Sequence, residues 1–338
     1  MATVSLADIG KIDALRQLYA ESAYSPVRGG SFTSGQGGAS VTTVSRLLSE
    51  GLDFNLVYFP LRHLGYKSVL LVTGELLASL ARPKVLSVVF GVSARFNFED
   101  LRELWKGLSE GAREQGFEAV DLDLVPSRNG LQISISASGE TTALTVHRRM
   151  AARSKDLLCV SGRLGAAYLG MQLLERGSRE FEKSGRQPAD LERYRMLVGA
   201  YLKPELPEGL VDRFEQAEIY PSYGYFLTRG GLADALKRLV RDSGLGAKVY
   251  GEKIPFEGNS FALGKELDID PVSAALSGGD DCQLLFVVPI LSMEKFRREF
   301  PTFDIIGHMA QSDVGAVIVT PDGAELPVHA PGWPEEED

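Results

Sequence analysis

The chain has only two cysteines and four histidines in 338 residues, and each scarcity excludes something. Cys159 and Cys282 sit inside apolar runs (LLCVSG and DDCQLLF), which fits small core residues better than a disulfide framework or a metal pair. His63, His147, His308 and His329 are scattered, with no H-x-x-x-H spacing and no cysteine at ligand distance, so a zinc site is not expected. No apolar run approaches the roughly 20 residues of a membrane span. The stretch MATVSLADIGKIDAL has no basic segment followed by an apolar core, so a secretory leader is not expected and the cytoplasm is. Basic charge is not in excess either. Lys and Arg number 36 against 45 acids, a net −9, and no general attraction to nucleic acid follows. One absence is local: residues 22–49 contain no Asp or Glu at all.

What is present is an ordinary globular composition, 44% hydrophobic and 24% charged, long enough for two domains with a core each. Ile9, Ile12, Leu15 and Leu18 recur at helical spacing near the start. The segment SPVRGGSFTSGQGGAS (25–40) is rich in Gly and Ser, and its residues 29–38 read as a mobile Gly-rich loop; a backbone phosphate cradle is the sharper alternative, but the lysine and serine of a P-loop are missing. NLVYFP and SVLLVTG read as strands, the latter turning into a helix at VTGELLASLARP, and KVLSVVFGVSA as another strand. Asn97 is placed to cap a helix with Leu101, Leu104, Trp105 and Leu108 on one face. VDLDLV and GLQISISASGE alternate as paired, half-buried strands do. The pattern restarts with the strand DLLCVSG and the helix LGAAYLGMQLLERG, for which Gly177 is the expected stop. GGLADALKRLVRDSG predicts a helix ended by Gly244, and DDCQLLFVVPI and FDIIGHM predict strands. The expectation is an α/β fold of α+β layers in two domains, 1–145 and 146–338.

The run SGGDDCQLLF (277–286) raises the functional question, because it places two acids and two glycines at the mouth of a buried-looking strand. This run resembles the SGGEDYELLF motif of the thiamine-monophosphate kinase family, in the superfamily of aminoimidazole ribonucleotide synthase. ELLASLARP is similar to that family's SDLAAMGARP, SEGLDFNL to its VEGVHFDL, VSGRLGAAYLG to its VTGTLGDAAAG, and the C-terminal PGW to its GWDHF ending. The matches run in order over nearly the whole chain. The resemblance implies a synthase-like fold in which N-terminal domains pair through their sheets in a homodimer, with a C-terminal α/β domain. It also implies ATP and Mg²⁺ as cofactors and thiamine phosphate as substrate. The physical logic is charge: two phosphorylated molecules approach one another only where carboxylate-held metals offset their repulsion.

Most of those carboxylates have gone. The family's GDDAAV falls near the acid-free SGQGGASV, and the metal-binding Asp before VEGVHF falls at Arg46. The family's DISDGL corresponds to LTRGGL, so its aspartates become Leu227 and Gly230 and its serine Arg229. Glu75 stands for the Asp of SDLAAMG and Asp123 for the Asp of GGDT, leaving these two as the metal candidates that the resemblance implies. The same carry-over puts Asp53, Asp280 and Trp333 on the substrate side, and Asp123 and Arg149 beside the nucleotide. Arg46 and Arg229 join the nucleotide side if guanidinium groups bind an anion where metals stood.

Three readings of function stay open. The first is a degenerate thiamine-monophosphate kinase-like protein that binds a phosphorylated or heterocyclic small molecule, with weak or no Mg-ATP phosphotransfer. The second is a working ATP-dependent phosphotransferase with metal ligands relocated to Glu75, Asp121, Asp123, Asp280 and Asp281. The third is a scaffold or regulatory partner. Blander readings also stand: Arg46 and Arg229 as ordinary surface or ion-pairing residues, Asp280 and Asp281 as a strand-entry turn, Asp121 and Asp123 as a solvated face, and Trp333 as a loosely packed tail.

Overall fold

The computed structural model describes residues 11–20, 22, 30–34, 38–185 and 191–333. Helix α1 (Lys11–Ala20) is followed by a hairpin of β1 (Gly30–Ser34) and β2 (Ala39–Ser49), paired from Gly30↔Thr43 to Ser34↔Ala39. Residues 30–34, expected to belong to a mobile loop, are therefore a strand. Its Gly- and Ser-rich sequence around Phe32 carries little local strand signal, and the strand is defined by its pairing with β2. Ile9 and Gly35–Gly37 lie outside the described residues.

Helix α2 (Leu61–Ala78) corrects the reading of SVLLVTG as a strand. Every residue from Leu64 to Gly74 is buried, because α2 lies between two sheets and contacts both. A helix buried on all sides shows no amphipathic period, so its apolar run looks like that of a buried strand. NLVYFP likewise forms turns, with Phe59 tucked into the core.

β3 (Arg82–Val92) leads to α3 (Phe98–Glu114), which starts at the expected Asn97 as a capping box with Asp100. Helices α2 and α3 cross on glycines: a Cβ at Gly107 would lie 1.8 Å from the Arg62 carbonyl, and one at Gly65 2.0 Å from that of Leu104. β4 (Ala119–Pro126) and β5 (Gln132–Thr141) complete a sheet of order β1-β2-β5-β3-β4. They were expected to pair with each other, yet each pairs with β3, β4 in parallel and β5 antiparallel. β4 is exposed at every position, so its alternation marks no half-buried face.

The short α4 (Ala143–Arg148) leads to β6 (Leu157–Val160) and α5 (Ala166–Ser184). α5 passes through the buried Gly177, where a stop was expected, and ends at Gly185 in the left-handed region, φ 67°. There follow α6 (Arg195–Leu202), α7 (Leu210–Gln216), β7 (Tyr223–Leu227), α8 (Gly231–Ser243), β8 (Gly246–Tyr250) and α9 (Ser260–Leu267). β9 (Gln283–Val288), α10 (Met293–Glu299), β10 (Asp304–Ala310), β11 (Ala316–Val319) and β12 (Glu325–Pro327) close the chain. The second sheet runs β12-β11-β8-β10-β6-β9-β7. One hydrophobic cluster joins Leu70, Leu76 and Ile133 of the first half to Phe214, Phe226 and Phe286 of the second, with α2 as the shared wall. Among the described residues, no helix is long and apolar enough to cross a membrane.

Candidate functional site

A cleft opens beside α2 where the end of β2 meets the loops before α8 and before β9. Its polar lining is Arg46, Asp53, Lys67, Thr228, Arg229 and Asp280. Leu48, Phe54, Leu64 and Leu71 supply an apolar floor. Arg46 comes from β2, Asp53 from the turn after it and Lys67 from α2; the other three come from the second half of the chain.

The loop before β9 is built to press inward. Gly279, Asp280 and Cys282 all have positive φ (77°, 62° and 53°), and a Cβ on Gly279 would meet the Thr228 carbonyl at 2.7 Å. Left-handed backbone at a non-glycine residue costs about 1 kcal/mol and persists where contacts hold it. Here the contacts are good. Asp280 receives a hydrogen bond from Lys67 Nζ at 3.1 Å. Asp281 accepts from the backbone N–H of Gly165 (2.8 Å) and of Ala167 (3.2 Å), closing the N-terminus of α5. Burial pushes the Asp281 carboxyl up to about 7 despite those two donors. The two acids at the strand mouth thus face the interior, one onto the cleft and one onto a helix end.

Lys67 is nearly inaccessible, its side chain 4% exposed. Besides Asp280, its ammonium donates to the Tyr201 carbonyl at 2.9 Å and lies 4.0 Å from the centre of the Tyr201 ring. Burial works against its charge, but Asp280 and the nearby Cys282 and Tyr201 outweigh burial and hold its pKa above the ordinary value. Arg46 forms an ion pair with Glu75, and its Nη2 lies 3.4 Å from Thr228 Oγ1. Arg229 forms an ion pair with Asp53, whose other oxygen accepts the Ser49 N–H at 2.8 Å. Each of the three cations is therefore paired with a carboxylate, although Glu75, the partner of Arg46, is not among the residues that line the cleft.

Of the residues singled out from the sequence, the fold brings Arg46, Asp53, Glu75, Arg229 and Asp280 together. The others lie elsewhere. Asp123 is exposed on β4 with Oδ1 on its neighbour's N–H (Leu124, 2.8 Å), and Asp121 shares that exposed strand. Arg149 donates to the carbonyls of Pro221 (3.0 Å) and Ser79 (3.3 Å), tying the end of α2 to the segment before β7. Trp333 donates from Nε1 to Asp234 at 2.9 Å, and Arg241 stacks over its ring. Sequence reading missed Lys67, Thr228 and Tyr201. A lone lysine in the apolar run of α2 was the available signal.

The residues do not fit a cluster of Mg²⁺ ions. Glu75 is engaged by Arg46, while Asp123, the other candidate ligand, stands apart on β4. Among the described residues no three acidic, histidine or cysteine side chains gather as a metal would require. Cys159 and Cys282 are free and buried, and burial pushes the Cys282 thiol up to about 12.

No protein-family model matches the chain. Curated proteins do. A thiamine-monophosphate kinase of Aquifex aeolicus is 26% identical over 243 residues, covering 72% of this chain and 74% of its own length. The thiamine-monophosphate kinase of Bacillus subtilis is 21% identical over 306 residues, covering 89% and 90%. A putative hydrogenase expression/formation protein of Methanocaldococcus jannaschii is 26% identical over 292 residues, covering 82% and 79%. Among solved structures, AaThiL complexed with AMPPCP and TMP superposes with a TM-score of 0.78 at 22% identity, covering 98% and 99% of the two chains. The hydrogenase maturation protein HypE in complex with ATP superposes at 0.65 and 17%, covering 96% and 97%. The fold is that of the aminoimidazole ribonucleotide synthase-like proteins.

Proposed function

We propose, from the premise that this chain belongs to the thiamine-monophosphate kinase family, that it has left Mg-ATP phosphotransfer behind and uses its cleft to hold a small phosphorylated molecule. The observation that carries this is the set of three ion pairs, Arg46–Glu75, Arg229–Asp53 and Lys67–Asp280. A carboxylate beside a divalent ion at about 4 Å is worth roughly 8 kcal/mol at an effective dielectric of about 20. An arginine in that place reverses the sign. Solvent and motion reduce the figure, yet even a quarter of it is more than a power of ten in metal affinity.

AaThiL holds AMPPCP and TMP, and HypE holds ATP, so a phosphate group is the ligand class with support from the relatives. In this chain Arg46 and Arg229 supply forked donors suited to phosphate oxygens without an intervening metal. Division of the chain into domains 1–145 and 146–338 is part of the same reading, since the first sheet draws on residues 30–141 and the second on 157–327. A homodimer is too: the edge strand β4 presents Val120, Leu122 and Leu124 to solvent, and a second copy would cover them. The cytoplasm is the compartment proposed for it.

The test is calorimetry with thiamine monophosphate and with AMPPCP, in wild type and in Arg46→Ala and Arg229→Ala. The reading expects at least tenfold weaker binding in each variant. Unchanged affinity for both ligands in both variants contradicts it. An assay for phosphoryl transfer from ATP in Mg²⁺ is expected to show no product.

A second reading, a scaffold or regulatory partner, is favoured by one observation. As it stands the cleft encloses about 30 Å³, room for a water or two but not for a nucleotide. The relocated-ligand phosphotransferase has no such support: of the five acids that it needs, only Asp280 lines the cleft.

A further inference from the structure

Between Glu140 and Asp156 the chain has no acid. Residues 143–155, ALTVHRRMAARSK, carry Arg148, Arg149, Arg153 and Lys155 in a protein whose net charge is −9. They form α4 and the connection from the first sheet to β6. Arg149 is used inside the fold, on the carbonyls of Pro221 and Ser79. Arg148, Arg153 and Lys155 are exposed, and none has a carboxylate partner among the described residues. Leu144, Val146 and Met150 stand exposed among them. The backbone beneath is fixed. Thr142 accepts the Thr145 N–H at 3.2 Å to start α4, and Asp156 accepts the Arg153 N–H at 2.8 Å. Lys155 takes a left-handed conformation, φ 76°, and donates its N–H to the Met309 carbonyl at 2.8 Å. Unpaired cations and apolar side chains held side by side make a preorganised surface, and arginine and methionine are residues that interfaces enrich.

We propose that the strip from Leu144 to Lys155 docks an acidic peptide segment of a partner protein, one with apolar residues interleaved to meet Leu144, Val146 and Met150. Charge complementarity selects this occupant. The strip is a local positive field on a net negative protein, so it steers an acidic segment to itself while the remaining surface repels one. Nucleic acid fits less well, because the segment holds no Phe, Tyr or Trp for bases to stack on. A lipid surface fits less well for two reasons. Three exposed Lys and Arg side chains fall short of the roughly four to eight that mark a lipid-binding cluster. Asp212, exposed over more than half of its side chain, is also joined through Arg82 and Glu215 to Thr142 and Thr145 at the start of α4. A flat anionic bilayer would meet that carboxylate, whereas a narrow peptide passes beside it. None of the strip's residues lines the cleft, so the docking surface is independent of what the cleft holds.

The experiment is fluorescence anisotropy of a labelled peptide of four Glu-Glu-Leu repeats, against one of four Lys-Lys-Leu repeats, on the full-length protein. The expected result is binding of the glutamate peptide alone, at least tenfold weaker in the triple variant Arg148→Glu/Arg153→Glu/Lys155→Glu and several-fold weaker in Met150→Ser. No binding of the glutamate peptide, or binding that the triple variant leaves unchanged, overturns the proposal. Phosphatidylserine vesicles or an oligothymidylate that bind the wild type and not the triple variant, with the glutamate peptide silent, also overturn it and give the strip to a membrane or a nucleic acid. If the charge reversal fails to fold, Arg148→Gln/Arg153→Gln/Lys155→Gln takes its place. Titration of the cleft with thiamine monophosphate and AMPPCP is expected to be the same in these variants as in wild type, so failure here leaves the reading of the cleft untouched.

Discussion

Arg82 and Arg229 are two of the arginines that reach between the halves of this molecule, and they do so differently. Arg82 on β3 bonds Asp212 (2.7 Å) and Glu215 (2.6 Å) on α7, and Glu215 also accepts hydrogen bonds from Thr142 (2.7 Å) and Thr145 (2.6 Å). Arg229 reaches back to a single acid, Asp53, from a position mostly in water. The first junction is a joint, in which one carboxylate collects donors from β3 and from the start of α4, so that no single motion releases it. The second is a contact that exchanges. Charge type is the same in both. Burial and the number of partners decide whether an arginine holds the fold together or waits for a ligand.

The largest effect is expected at Lys67, the buried cation of the cleft. Lys67→Ala removes the partner of Asp280 and the contacts to Tyr201, and is expected to cost about 3 kcal/mol, read as a lower urea midpoint. Lys67→Met combined with Asp280→Asn should recover most of that loss, since no charge is then left without a partner. No recovery would mean that packing around Tyr201, and not the charge pair, is what Lys67 supplies.

Glu215→Ala comes next, at about 1–3 kcal/mol, because it strips several donors at once. Its pH dependence has a definite sign. The Arg82 hydrogen bond, with those of Thr145 and Thr142, holds the Glu215 carboxyl down at about 2, below its ordinary 4.5. The stability that it contributes is present above pH 4.5 and lost as pH falls toward 2. Glu215→Gln should flatten that acid limb in denaturation curves; an unchanged limb would contradict the joint.

Asp281 has the opposite sign. Its folded-state carboxyl is raised from 3.8 to about 7, so its contribution is largest below pH 3.8 and declines as pH rises through 7. Asp281→Asn is expected to remove that decline. A decline that persists in the variant assigns it to another group.

The smallest stability change is expected at Arg229. Arg229→Ala should shift unfolding by about 1 kcal/mol, because Arg229 is mostly in water but its loss leaves the half-buried Asp53 with the Ser49 N–H as its remaining donor. Its effect belongs to ligand binding. A stability loss as large as that of Glu215→Ala would erase the distinction between joint and exchangeable contact.

Much of the fold was legible where the signal is local. The Asn97 capping box, the glycine-bounded α8 and the apolar β9 all follow from adjacent residues. Helix α2 was not legible, because burial on every side removes the periodicity that marks a helix. Gly177 looked like a stop because glycine often ends helices, yet Gly185 ends this one. In the site, Arg46, Asp53, Arg229 and Asp280 stood out by motif position. Lys67 did not, since its meaning comes from Asp280, 213 positions away, and no local pattern encodes such a contact. Asp123 drew attention by its match to the Asp of GGDT and Asp121 as its neighbour on the same strand face, and the fold leaves both exposed on β4.

The central claim is that guanidinium groups have taken the place of metals in a cleft inherited with the fold. Calorimetric titration with ATP, with and without Mg²⁺, tests it most directly. The account predicts that any binding is indifferent to Mg²⁺ and weakens in Arg46→Ala and Arg229→Ala. Micromolar binding that appears only with Mg²⁺ would contradict it, because a metal site would then have survived among residues that here are paired with one another.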